Sequence, residues 1–130
     1  MPSTRDTGTA LTSARATGTQ GEDAACVYLQ NNGYRILERN TRFGRYEIDV
    51  VAEDLAENMI VFVEVKTRAS HSEQYPIHTA VNARKRSAMR RAIAHWVVKH
   101  AYDGPGRIDI VCVHGGKIVE HLKAIGSDFH

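Results

Sequence analysis

The sequence of 130 residues contains no long apolar run. The two longest, around Ile60–Val65 and Ile108–Val113, are of strand length, far short of the ~18 apolar residues a membrane span needs. No membrane association is therefore expected. The opening stretch, MPSTRDTGTALTSARATGTQ, has no apolar segment that could serve as a secretory signal. Rich in Thr, Ser, Gly and Ala, it is read as a disordered tail over 1–18, leaving one domain over 19–130. There are only two cysteines, Cys26 and Cys112, far apart and in no CxxC or Cys/His spacing. They are expected to be buried thiols of a reducing, cytoplasmic protein, with no zinc site. The histidines form no HExxH or i, i+4 pair. A Gly-rich phosphate loop and a nucleophile elbow are also missing, which argues against nucleoside-triphosphate and acyl-transfer chemistry.

Acidic residues are absent between Gln74 and Tyr102, where Arg84, Lys85, Arg86, Arg90, Arg91 and Lys99 are all basic. One-sign charge of this kind favours a polyanion such as nucleic acid, although a solvated helix face accounts for it equally well.

The patterning predicts a first helix from near Thr19, where Thr19-x-x-Glu22 has capping-box form, to Asn31-Asn32, with Gly33 as a left-handed cap. Strands are predicted over Tyr34 to about Arg39, Arg45–Ala52 and Met59–Thr67. Pro76 leads toward a long helix, roughly Asn82–Tyr102, ended by Asp103-Gly104-Pro105-Gly106. Two more strands, Arg107–Val113 and Lys117–His121, flank a His114-Gly115-Gly116 turn. The order α-β-β-β-α-β-β implies an α/β fold: an antiparallel meander, a helical crossover to a parallel strand, and helices packed on a mixed sheet.

Strand side chains alternate faces. On the third strand, Met59, Val61, Val63 and Val65 form an apolar face. The opposite face reads Ile60, Phe62, Glu64, Lys66, Arg68, apolar and then charged. Charge at the rim of a covered layer is costly unless it is paired or binds metal. On the preceding strand, alternation groups Glu47, Asp49 and Val51, so hairpin pairing would bring Asp49 to Glu64. Two carboxylates and a lysine suit phosphodiester hydrolysis. Hard oxygens of Asp49 and Glu64 would hold Mg²⁺ or Mn²⁺, and Lys66 would orient water or stabilise charge on the phosphorane. The competing reading is an ordinary alternating strand with a weak surface ion pair.

On the first helix, Glu22 falls within the apolar stripe of Ala25, Cys26 and Leu29 and is expected to face the sheet. Lys85 lies in the stripe of Met89, Ala92 and Trp96, with Arg84, Arg86, Arg90 and Arg91 off its centre. The bland alternatives are that Glu22 only closes the capping box and that Lys85 reaches out to water. Glu47 either assists Asp49 or is a solvated rim residue. Asp109 is read as an ion-pairing strand residue outside the site, and Trp96, Tyr28 and Tyr34 as packing groups.

Several segments together resemble the YraN family of small bacterial proteins. They are Gly21-Glu22-Asp23-Ala24-Ala25 with Tyr28-Leu29, Gly33 to Asn40, Glu47-Ile48-Asp49, Val61 to Arg68, the Lys85-Arg86 helix with Ala94 and Trp96, and Arg107-Ile108-Asp109. That family is similar to the restriction-endonuclease-like and Holliday-junction-resolvase proteins. The resemblance implies a three-layer nuclease core with Asp49, Glu64 and Lys66 as the motif residues and Glu22 as the upstream acid. It also implies a DNA substrate more than RNA, branched or flapped forms included, and a homodimer. One position departs from the pattern: Tyr46 stands where the family usually has glycine. Three functions remain in view. The first is a metal-dependent endonuclease, with Arg68, Arg84, Lys85, Arg86, Arg90 and Arg91 contacting nucleic acid. The second is a silent nucleic-acid-binding module of the same fold. The third is a protein-interaction domain whose charged strand is only structural.

Overall fold

The computed structural model describes residues 10–68 and 83–125, and the side chains of all of these except 10–19, 83 and 85. The order is α1 (Ala10–Asn31), β1 (Tyr34–Phe43), β2 (Tyr46–Asp54), β3 (Met59–Thr67), α2 (Ala83–Lys99), β4 (Gly106–His114) and β5 (Lys117–Ile125). The strands form one sheet in the order β1-β2-β3-β4-β5. β1, β2 and β3 make an antiparallel meander; β3 and β4 run parallel, joined through α2, and β5 returns antiparallel. The predicted α/β architecture and element order are what the structure shows. The approach through Pro76 lies outside the described residues.

Local chemistry explains most boundaries. α1 stops at Asn31, and Gly33 follows at φ +88°, a conformation that carries little cost without a Cβ. Gly44 (φ +64°) sits in the tight turn whose flanks, Phe43 and Tyr46, pair across β1 and β2. Two expectations are corrected. The helix begins at Ala10 rather than near Thr19, so Thr19-x-x-Glu22 lies inside it and cannot cap its start. α2 ends at Lys99 rather than Tyr102, because the Tyr102 N–H turns back to the Val97 carbonyl (3.0 Å) while Ala101 takes φ +50°.

A helix covers each face of the sheet. α1 buries Ala25, Cys26 and Leu29 against Val50, Ala52, Val61, Val63, Val111 and Val113. α2 buries Met89, Ala92, Ile93 and Trp96 against Ile48, Val51, Ile60, Phe62, Ile108, Ile110 and Cys112. β3 and β4 are therefore buried on both faces, the reason they read as near-continuous β-branched runs. Both cysteines are free and buried, one in each layer. Among the described residues, no helix is long and apolar enough to cross a membrane.

A polar network interrupts the α1 layer at the end away from the first turns of the described helix. Arg107 is buried and bonds Asp54 (2.9 Å), Asp109 (2.9 Å) and the Tyr34 hydroxyl (2.6 Å). Asp109, fully buried, also meets His121 Nε2 (2.8 Å) and accepts from the Ala124 N–H (3.0 Å); His121 Nδ1 bonds the Tyr28 hydroxyl (2.8 Å). Burial alone would raise the Asp109 carboxyl, but hydrogen bonds from His121, Arg107 and Ala124 outweigh it and hold the group below its ordinary value. Asp109 is thus the ion-pairing strand residue that the sequence indicates.

Candidate acidic site at a strand fork

The β2–β3 ladder pairs Asp54 with Met59 and continues to Val50 opposite Val63. Both strands run on past that point, but the pairing does not. β3 stays hydrogen-bonded to β4 as far as Thr67 opposite Val113, while Tyr46–Ile48 of β2 remain paired with β1. The two strands therefore part as a fork whose first residues are Asp49 and Glu64.

Strict alternation fails here. Tyr46 and Ile48 pack in the α2 layer, yet Val50 packs in the α1 layer and Val51 in the α2 layer. The expected grouping of Val50 with Tyr46 and Ile48 on one face is therefore wrong: β2 changes the faces it presents between Ile48 and Val50, where it leaves β3. Asp49 lies at that switch. Its Oδ2 accepts the Val65 N–H at 2.8 Å, taking the place of the strand that has departed. The Asp49 side chain thus bridges the gap between the strands.

This placement sets the electrostatics. Burial raises the Asp49 carboxyl from 3.8 to about 7; the neighbouring charge of Glu64 comes next, Glu22 and Glu47 add to it, and the Val65 N–H opposes them. Glu64 is itself buried. It continues the α2-facing row of Ile60 and Phe62, with Lys66 next along and half-buried beside Cys112 in the parallel register. Glu22 arrives from α1, its side chain largely buried and 3.8 Å from Arg39. The fork lets an acid from the α1 layer and one from the α2 row act on the same carboxylate.

Gly21 brings α1 close enough for this. A Cβ on it would stand 2.7 Å from Thr67 Oγ1 and 4.0 Å from both Val65 Cγ1 and Val113 Cβ. Gly21→Ala should be tolerated, since the Thr67 hydroxyl can rotate away. Gly21→Leu should lower stability by about 1–3 kcal/mol and lift Glu22 from the fork. Thermal unfolding of the two variants checks this, and equal midpoints would contradict the close approach.

The structure thus brings together Asp49, Glu64 and Glu22, with Lys66 on the same row and Glu47 at the margin, where it pairs with Arg42 at 3.5 Å. The basic residues disperse. Arg68 is turned toward Glu120 (3.4 Å) at the far end of β3. Arg90 borders an apolar cavity of about 280 Å³ with Phe62, Ile93, Val97 and Tyr102. Arg86 is exposed, and the Lys85 side chain lies outside the described residues. Arg84 and Arg91 line a groove of about 520 Å³ with Arg45, Tyr46, Ser87 and Ala88. Arg45 and Tyr46 were not among the sequence-level candidates. The only signal was the substitution at 46, because a tyrosine after a Gly-Arg turn is otherwise unremarked. Trp96 and Tyr34 are core groups, as expected.

Among the described residues, no three acidic, histidine or cysteine groups stand ready-made around a metal position. The donor chemistry still fits a hard divalent cation, which is commonly held by one or two carboxylates, with water and substrate phosphate completing the shell. Two carboxylates at the mouth of a fork, one of them driven toward protonation by burial and then by the other, form such a donor pair.

Comparison with known proteins places these residues within one matched stretch. The model of the uncharacterised protein family UPF0102 matches residues 21–113, which include Glu22, Asp49, Glu64 and Lys66. A UPF0102 protein of Oleidesulfovibrio alaskensis is 46% identical over 99 residues, covering 75% of this chain and 48% of that protein. One from Nitratidesulfovibrio vulgaris is 42% identical over 98 residues, 75% of this chain and 72% of its own length. One from Lawsonia intracellularis is 37% identical over 111 residues and 83% of each. The match thus spans about half the length of the first relative and most of the other two.

Proposed function

The chain belongs to the UPF0102 family, the YraN family that its sequence resembles, and from that premise we propose that it is a divalent-metal-dependent nuclease acting on DNA at the β2–β3 fork. One observation carries the reading: Asp49 stands opposite Glu64 where the strands part, its carboxyl raised to about 7 by burial and by that neighbour, with Lys66 two residues farther along. Asp49 and Glu64 would hold Mg²⁺ or Mn²⁺, which would supply positive charge to polarise a phosphoryl oxygen and acidify water.

The chain's own residues do the rest. Asp49 is anchored by the Val65 N–H through Oδ2, so Oδ1 is the oxygen that would take the cation. Lys66 donates hydrogen bonds where negative charge grows on the phosphorus oxygens. Glu22 sits beside the acid pair and accepts a proton from water drawn to the site. The gap between the strands is where a phosphate would meet both the α2-facing row and the α1 acid.

The test is hydrolysis of linear, flapped and branched DNA in Mg²⁺ or Mn²⁺. Cleavage should stop on chelation and fall at least 100-fold in Lys66→Ala, an amount typical of losing one directed electrostatic contact. Cleavage that survives chelation, or is unaltered in Lys66→Ala, would refute the assignment.

A second reading, a binding module without turnover, is favoured by the Arg39 guanidinium near Glu22 and by the arginine groove beside Tyr46. Its signature is salt-sensitive retention of DNA with no hydrolysis under either metal.

A further inference from the structure

The groove beside α2 has a construction of its own. Tyr46 packs partly against the α2 core and keeps part of its ring exposed. The Arg45 guanidinium lies 5.8 Å from the ring centroid and that of Arg91 5.9 Å from it; Arg91 Nη1 also reaches the Tyr46 hydroxyl at 3.4 Å. Arg84 completes the lining with Ser87 and Ala88, and none of the described residues lining the groove is acidic. Gathering three guanidiniums without a carboxylate costs folding free energy through like-charge repulsion, which a polyanion relieves. An aromatic ring among the cations adds a flat surface that phosphate alone does not use. Tyr46 also lies three residues before Asp49 on β2, roughly 10 Å along the strand.

We propose that Tyr46, Arg45 and Arg91 form a subsite for one unpaired nucleotide of the strand entering the fork, the base lying on the tyrosine ring and the phosphate held by the guanidiniums. The inference rests on nucleic acid being the partner, as in the nuclease reading, and it names the kind of substrate. A base within a duplex has both faces occupied by its neighbours and cannot lie on a protein ring without being unstacked. An unpaired base can, whatever its identity. The preferred substrate is therefore single-stranded or carries an unpaired end, and selection is for strand state rather than sequence.

The test is binding, measured with metal chelated so that hydrolysis plays no part. Fluorescence anisotropy of a short labelled oligonucleotide should show tighter binding of single strand than of blunt duplex. Tyr46→Leu, which keeps apolar bulk against α2, should weaken single-strand binding roughly 5- to 100-fold, the range for one stacked base, and barely change duplex binding. Tyr46→Phe should bind like the parent. Arg91→Ala should lower the salt dependence by about one phosphate contact. An aminopurine base in the oligonucleotide should be quenched by the parent and by Tyr46→Phe, but not by Tyr46→Leu. Equal affinities for single strand and duplex, or a Tyr46→Leu loss that is the same on both, would overturn the subsite. If DNA is bound in this Tyr46-dependent way but never cleaved with any metal, the subsite stands and only the nuclease reading falls.

Discussion

Asp49→Asn should cut DNA cleavage on the order of 10³-fold and, at pH 8, make the metal-free protein more stable than its parent. The loss follows from removing one of two metal-binding carboxylates and the charge that goes with it. The gain follows from the raised carboxyl. Below about pH 3.8 both folded and unfolded chains hold the Asp49 proton, so the site carries no penalty. As pH rises, the unfolded chain releases the proton first, and the folded state falls behind until about pH 7, where the folded group also ionises. A rise from 3.8 to about 7 corresponds to about 4 kcal/mol of stability missing above pH 7, an upper bound for a group so near its acidic neighbour. Asparagine has no proton to release, and its carbonyl can still accept the Val65 N–H.

The variant should therefore match the parent near pH 4, gain steadily through pH 7, and level off about 2–4 kcal/mol ahead. Urea unfolding across this pH range measures it. Mn²⁺ should raise the parent's melting temperature at pH 8 far more than at pH 6, because the cation and the Asp49 proton compete for one site. If parent and variant have the same stability at pH 4 and pH 8, the buried acid pair is not as described. The trade is of a kind expected at a working site, where groups that repel one another are held together for what they bind.

The second large effect lies at the opposite end of the α1 layer. Arg107→Met should destabilise the protein by about 3–5 kcal/mol, because Asp54 and Asp109 would keep their burial and lose their shared guanidinium. The side chain removed is not what costs most; the charges left behind are. Asp109→Asn in the Arg107→Met background should recover part of the loss, since the amide keeps hydrogen-bonding capacity without the charge. Midpoints of urea unfolding at constant slope would show this, and a loss under 1 kcal/mol would mean that water or His121 already neutralises Asp109. The pH behaviour is opposite to that of Asp49. Asp109 is held below its ordinary value, so its contribution is present above the unfolded carboxylate pKa and fades as acid protonates it. Two aspartates on one sheet, Asp109 buried and Asp49 partly so, therefore pull stability in opposite directions as pH changes: Asp109 is satisfied by donors and Asp49 faces other acids.

Much of this was legible from residues alone. Gly33 marked the end of α1, Gly44 the β1–β2 turn, and the Met59–Thr67 run matches β3 residue for residue. These signals are local: a φ that only glycine takes without strain, or a run of β-branched side chains bounded by turn formers. Glu64 and Lys66 stood out for the same reason, as charge breaking into a row otherwise apolar. The face shared by Ile48 and Val50 was misread, because alternation assumes a strand that stays paired. β2 stays paired with β1 but leaves β3 at Val50, and no residue near Asp49 announces that departure. Arg107 and Asp109 could be suspected of pairing as neighbours on one face, but their link to Asp54 crosses the sheet and their link to His121 spans a hairpin.

The chain's own order of residues was enough to determine the order of the elements, the covered layer over β3, and which strand bears the Glu-x-Lys row, since each depends on neighbours within a few positions. Folding alone decided where β2 and β3 separate, that the Asp49 carboxylate takes the Val65 N–H across the gap, and that Arg45 and Arg91 flank Tyr46. These depend on where hydrogen-bonded pairing ends and on which residues distant in sequence the packed layers press together, and no local periodicity carries that information.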